Sequence, residues 1–160
     1  MRVAPRHVWD ASGRHGDDVF IGEYRHSIDE KGRIAVPVRF RAQLAETAFV
    51  SKWIDTCVAI FPPRAFEELA DKVAALPVGD PSARAFNRYV FASAFDFDLD
   101  RQGRGIVPAA LREFAGLSGE TVVVGAHDHV ELWSPDRWAS YSAAMTAPDV
   151  LAEHLQGLGI

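Results

Sequence analysis

The sequence predicts an α+β fold in which two similar β-rich halves, related by a pseudo-twofold axis, share one core. Three observations predict it. The stretch Asp29-Glu30-Lys31-Gly32-Arg33-Ile34-Ala35-Val36-Pro37 recurs 71 positions later as Asp100-Arg101-Gln102-Gly103-Arg104-Gly105-Ile106-Val107-Pro108, with the skeleton Asp-x-x-Gly-Arg-x-x-Val-Pro kept. The echo runs past the motif, because Trp133 answers Phe61 and Pro135-x-x-Trp138 answers Pro63-x-x-Phe66, both 72 positions on. Finally, strand, turn, strand and helix signals follow one another in the same order twice. Two copies are too few for a solenoid and suit halves that complete each other's core.

The elements can be justified in order. Residues 1–18 are rich in His, Gly, Asp and Arg, with no apolar period beyond Val8-Trp9, and read as a flexible extension. Val19 to Ile28 reads as a strand. Asp29 to Gly32 is a turn, where Asp bonds its own backbone and Gly takes a positive φ. Arg33 to Val36 resumes a strand, and Pro37 opens a short helix to about Leu44. Phe49 to Lys52 and Cys57 to Phe61 are strands around a turn at Trp53 to Thr56. Pro62-Pro63 launches a helix with Phe66, Leu69, Val73 and Leu76 on one stripe. Asp80 caps a second helix, Ser82 to Ser93, with Pro81 at its first position. The plan then repeats: strands Phe95 to Leu99 and Arg104 to Val107, and a helix from Pro108 that Gly116 closes. A hairpin follows, Thr121 to Gly125 with His129 to Trp133, then a helix from Pro135. The tail carries Leu151, Leu155 and Leu158 and reads as a short final helix.

The bulk numbers narrow the function classes. With 160 residues and 48% hydrophobic content, the chain can bury a core. No apolar run approaches the roughly 20 residues of a membrane helix, and the first residues hold no apolar signal core. Cys57 is the only cysteine, which fits a reducing cytoplasm and a packed thiol. The net charge of −5 counts against a generic polycation that coats nucleic acid. It leaves room for a local patch: residues 24–41 hold Arg25, Lys31, Arg33, Arg39 and Arg41 against Asp29 and Glu30, an excess of three positive charges. In residues 98–114, Arg101, Arg104 and Arg112 are balanced by Asp98, Asp100 and Glu113.

Two readings compete for the repeated motif. In one, Asp29 and Arg33 form a salt bridge that fixes the turn, repeated because the fold needs it twice. In the other, a β-element bearing Arg33 enters the major groove, where a guanidinium pairs with guanine acceptors, and Lys31 and Arg25 serve phosphates. Other constellations carry less. His127-Asp128-His129 lacks the companion ligands of a metal site, and no phosphate-binding loop, nucleophile elbow or cofactor fingerprint appears. Arg84 and Arg88 share a helix face that suits solvent or a subunit contact.

The run Phe20-Ile21-Gly22-Glu23-Tyr24-Arg25-His26-Ser27-Ile28-Asp29-Glu30-Lys31-Gly32-Arg33 resembles the bacterial MraZ family. So do Leu76-Pro77, Asp80-Pro81, Ala83-Arg84, Phe86 and Asp98-x-Asp100-x-x-Gly103-Arg104, in order and spacing. The resemblance implies two tandem AbrB-like swapped-hairpin units: 19–76 and 94–145, joined by a helical linker 77–93 and followed by a tail 146–160. It implies a ring-shaped homo-oligomer, no cofactor, and a transcriptional regulator, often a repressor. Such a protein binds direct repeats of double-stranded DNA in the promoter of the division and cell-wall gene cluster and associates with the nucleoid in the cytoplasm. By position, Arg33 is the leading DNA contact, Lys31 is its neighbour and Arg104 is its equivalent in the second copy; Arg25 and Arg101 complete the DNA-binding candidates, while Asp29, Gly32, Asp100 and Gly103 build the turns. Gln102 in place of Lys31 and Gly105 in place of Ile34 set the second copy apart. Chains of this family usually begin near Val19, which makes Val19 a candidate initiator. A different class, an antitoxin-like module that binds a protein partner, is the alternative. An enzyme built on His127, Asp128 and His129 is the third.

Overall fold

The computed structural model describes residues 19–160. The expectations for residues 1–18 lie outside them. The first half contains β1 (Glu23–Ile28), β2 (Arg33–Ala35), α1 (Val38–Arg41), β3 (Ala48–Lys52), β4 (Val58–Phe61) and α2 (Pro63–Ala74). After α3 (Pro81–Phe91) the second half follows: β5 (Phe95–Phe97), β6 (Arg104–Ile106), α4 (Ala109–Ala115), β7 (Gly119–Gly125), β8 (Val130–Trp133) and α5 (Pro135–Met145). The tail forms α6 (Pro148–Leu158).

The eight strands make one antiparallel sheet in the order β5-β3-β4-β8-β7-β1-β2-β6. Its two edges, β5 and β6, are consecutive in the chain, and Asp100 N–H donates to Arg104 O at 2.8 Å. The sheet therefore nearly closes on itself, which limits exposed edges. Most pairings cross between halves: β1 with β7, β3 with β5, β4 with β8, and β2 with β6. This exchange is the swapped-hairpin arrangement. Ile34 pairs with Gly105 and Ala59 with Glu131, so the pseudo-twofold axis passes between each residue and its own counterpart.

The inward face holds one core drawn from both halves, including Phe20, Ile34, Phe40, Val50, Ile60, Phe97, Leu111, Val123 and Leu132. The outward face is covered unevenly. α2 lays Ala65, Phe66 and Leu69 over Ala59 and Phe61. α5 lays Trp138 and Tyr141 over Val122 and Trp133, with buried Cys57 alongside. Burial pushes the Cys57 thiol far up, as expected of a packed residue rather than a nucleophile.

Helix starts follow local chemistry. Pro63, Pro81, Pro135 and Pro148 each open a helix, where a missing N–H costs nothing. Asp80 Oδ1 accepts from Ser82 N–H at 2.8 Å and Ser134 Oγ from Arg137 N–H at 3.2 Å.

Several bounds differ from the sequence reading. The first strand is shorter than Val19 to Ile28, because Gly22 takes φ +102 and breaks it, leaving Phe20 bridged to His127. The strand expected over Phe95 to Leu99 stops at Phe97, and the one expected from His129 starts at Val130.

Candidate nucleic-acid interface

Each Asp-x-x-Gly-Arg turn is built the same way. Asp29 Oδ1 accepts from the N–H groups of Lys31 and Arg33, both at 2.9 Å, while Oδ2 takes Arg33 Nε at 2.6 Å. Asp100 repeats this with Gln102 N–H at 2.8 Å, Arg104 N–H at 3.0 Å and Arg104 Nε at 3.1 Å. The backbone N–H of the arginine, with its guanidinium and the second N–H, holds each carboxyl below its usual range. Both carboxylates are therefore charged at neutral pH.

Gly32 and Gly103 do more than turn the chain. Both have positive φ, +83 and +75. Each also docks on the other half: Val107 N–H donates to Gly32 O at 2.8 Å, and Val36 N–H to Gly103 O at 2.9 Å. Behind them, Arg41 Nε donates to Val36 O at 2.9 Å and Arg112 Nε to Val107 O at 3.0 Å. A Cβ at Gly103 would overlap the Arg41 guanidinium, and one at Gly32 would overlap Val107 O. Arg41, counted among the local positive charges in the sequence, is thus a packing residue. Arg41 and Arg112 lie 71 positions apart, the interval of the motif, so the repeat contained the signal that pairs them.

The register of β2 and β6 decides what the site presents. Arg33 lies opposite Ile106, Ile34 opposite Gly105, and Ala35 opposite Arg104. Ile34 and Gly105 point inward and are buried. Side chains alternate along a strand, so Arg33, Ala35, Arg104 and Ile106 share the outward face. Arg33 and Arg104 stand diagonally on it. Their Nε atoms are held by Asp29 and Asp100, and among the described residues their terminal amino groups have no hydrogen-bond partner. The salt bridge of the first reading is present in both turns, and the carboxylate takes only one edge of each guanidinium.

The other candidates are placed less equally. Lys31 is exposed at the turn tip of the first half, and Arg101 is exposed at the tip of the second. Arg25 lies on the outward face of β1, but its Nη1 donates to Glu120 Oε1 at 2.9 Å. Its counterpart in β5 is Asp96, followed by Asp98. The face around Arg33 is therefore the more basic. Gly105 has its own explanation, since any Cβ there would overlap the buried Phe97 ring. Ile106, absent from the sequence candidates, is 56% exposed at the centre of the face.

His127-Asp128-His129 does not form a ligand cluster among the described residues. His129 Nδ1 pairs with Asp128 Oδ1 at 2.7 Å and its Nε2 with Glu131 Oε2 at 2.9 Å. Its ring stacks on Phe61 at 5.2 Å. Burial alone would depress this histidine, but the hydrogen bonds and charges of Asp128 and Glu131 raise it to about 9. It is a largely covered imidazolium, its side chain 11% exposed, held by the fold.

The sequence matches the family model described as "MraZ protein, putative antitoxin-like" twice, over residues 19–89 and 90–154. The chain belongs to the MraZ family. It is 44% identical over 129 residues to the transcriptional regulator MraZ of Thermomicrobium roseum, covering 81% of this chain and 91% of the relative. The transcriptional regulator MraZ of Desulfitobacterium hafniense is 46% identical over 143 residues, covering 89% of this chain and all of the relative. That of Herpetosiphon aurantiacus is 43% identical over 144 residues, again covering 89% and 100%. Both MraZ units thus contain one Asp-x-x-Gly-Arg turn, and the fold joins the two turns across its axis. No helix among the described residues is long and apolar enough to cross a membrane.

Proposed function

We propose that this MraZ-family chain is a transcriptional regulator that binds double-stranded DNA through the β2–β6 ribbon. One observation carries the reading: Arg33 and Arg104 come from distant parts of the chain onto one exposed face, each pre-aimed by a carboxylate. A two-stranded ribbon fits a major groove, and a guanidinium with free amino groups matches the N7 and O6 acceptors of guanine. Lys31 and Arg101 at the turn tips, and Arg25 at the flank, serve phosphates.

The finer parts of the reading follow from the inequality of the halves. A strictly twofold ribbon suits a palindrome. Here the counterpart of Lys31 is Gln102 and that of Arg25 is Asp96, so the ribbon has a direction and suits direct repeats. Several chains in a homo-oligomeric ring, each with a small basic face, gain affinity from repeats in tandem. Such a ring explains how a chain of net charge −5 binds a polyanion. The units 19–76 and 94–145 with the linker 77–93 build each subunit of that ring. The target is the promoter of the division and cell-wall gene cluster, and the effect is repression, at the nucleoid. The antitoxin-like wording of the family description favours a second reading. In it the exposed Leu151, Leu155 and Leu158 of α6 hold a protein partner.

Anisotropy titration against the DNA upstream of this gene tests the proposal. Wild type binds that duplex more tightly than a scrambled one, and Arg33→Ala removes the preference. Equal binding of both duplexes by wild type, or an unchanged Arg33→Ala, overturns it.

A further inference from the structure

We propose that Ile106 reads a thymine methyl group next to the base held by Arg33, and so supplies part of the direction of the bound site. The inference rests on the ribbon entering a major groove. It adds a base contact that the arginines alone do not provide.

Twelve large hydrophobics are exposed among the described residues, and of these Ile106 is the β-branched one that lies in a strand. It is a large β-branched residue in a strand next to the pseudo-twofold axis, yet 56% of it is exposed. The core does not require it, because Gly105 and Val107 on either side are the buried residues. No helix among the described residues shields it as α2 and α5 shield the outward faces of β4, β7 and β8. Its surroundings name its occupant. Arg33 lies directly opposite it, and Arg104 shares its strand and face. A second copy seated by this same face would bring arginines against arginines. A duplex brings phosphates and guanine acceptors to the arginines and, in the same groove, the only exposed methyl group of the four bases.

The dimensions agree. Directly opposite residues in an antiparallel pair have Cβ atoms about 5 Å apart, and successive bases are spaced about 3.4 Å along a strand. A base pair held by Arg33 therefore places an adjacent or next pair beneath Ile106. The counterpart of Ile106 across the axis is Ala35, opposite Arg104. Its single methyl is too short to make the same contact at the same ribbon depth. The two arginines are equivalent, while the two apolar positions are not. Recognition of a guanine–thymine step is thus expected on one side of the axis only.

The test uses the full chain and a duplex that it selects from a random-sequence pool. Each thymine of that duplex is replaced in turn by deoxyuridine, which removes only the methyl. At one position wild type is expected to bind about fourfold more weakly, the effect of one lost methyl burial. Ile106→Ala is expected to bind the thymine and deoxyuridine duplexes equally, with its melting temperature and oligomeric mass unchanged. A merely structural role would lower affinity for both duplexes and leave their ratio as in wild type, and that result overturns the proposal. So does a selected duplex whose thymines are all indifferent to the replacement. If Ile106→Ala alters the oligomeric mass and keeps the wild-type ratio, Ile106 belongs to a contact between copies, and the proposal is overturned. Failure of wild type to select any duplex overturns the DNA reading itself, whereas the other outcomes leave it standing.

Discussion

Ile34 pairs with Gly105, its own counterpart in the other half, and the two could hardly differ more in size. The same position in the repeat holds the bulkiest aliphatic branch in one copy and no side chain in the other. The reason is the neighbour. In the second copy the buried ring of Phe97 fills the space that a Cβ at Gly105 would need. In the first copy the position of Phe97 is taken by half-buried His26. Volume is conserved across the axis, and sequence is not.

Gly105→Ile, which makes the second copy resemble the first, should therefore destabilise the fold by at least about 3 kcal/mol, the upper range for overpacking. Adding Phe97→His, to restore the pair found in the first half, should recover part of that loss. Urea unfolding of the two single variants and the double variant gives the coupling energy. Additive losses would show that the two positions do not share a space.

Arg41→Ala and Arg112→Ala should each cost stability, because each removes a guanidinium bond to a carbonyl just past a strand, beneath the opposite turn. A lost charged hydrogen bond of this kind costs about 1.5–3 kcal/mol. Arg112→Ala should cost the more, because Arg112 Nη1 also donates to Glu30 O at 3.2 Å and Arg41 has no such second bond among the described residues. A midpoint shift in urea for one and none for the other would deny the cross-axis role.

Much of this arrangement was legible in the residues. The 71-residue echo announced two halves, and Asp29, Gly32, Asp100 and Gly103 announced the turns through local chemistry alone. Pairing across the axis was less accessible. Nothing near Val36 says that its N–H is satisfied by Gly103, because that bond depends on the two halves docking. For the same reason Arg41 looked like surface charge and proved to be packing. Ile106 was hidden by its type, since an isoleucine in a short strand reads as core until the register shows which face it takes.

The salt dependence of DNA binding should separate the two kinds of basic residue. Lys31→Ala should lower the slope of log K against log salt by about 1 and leave base preference intact. Arg33→Ala should flatten preference among sequences. Gln102→Lys, which gives the second turn the charge of the first, should raise the slope by about 1. Anisotropy titrations between 50 and 200 mM salt, on the order of the range where such effects are large, decide it. A slope insensitive to both turn-tip changes would remove the turns from the phosphate contact.

Stability should also depend on pH through His129. Its folded pKa is raised to about 9, above the ordinary value of 6.5. The folded state therefore binds this proton more tightly than the unfolded chain does. That contribution is fully present below pH 6.5 and is lost as pH rises through 9. The side chain is 11% exposed, so the effect is little screened, and a shift of this size corresponds to something on the order of 3 kcal/mol. Thermal unfolding followed from pH 6 to pH 10 should show a falling melting temperature above about pH 7. His129→Gln should be less stable near neutrality, since it leaves Asp128 and Glu131 without their cation beside Phe61 and Trp53. It should also lose most of the dependence between pH 7 and 9. A wild-type melting temperature that stays level over that interval would mean that the imidazolium is no more stable in the fold than in water.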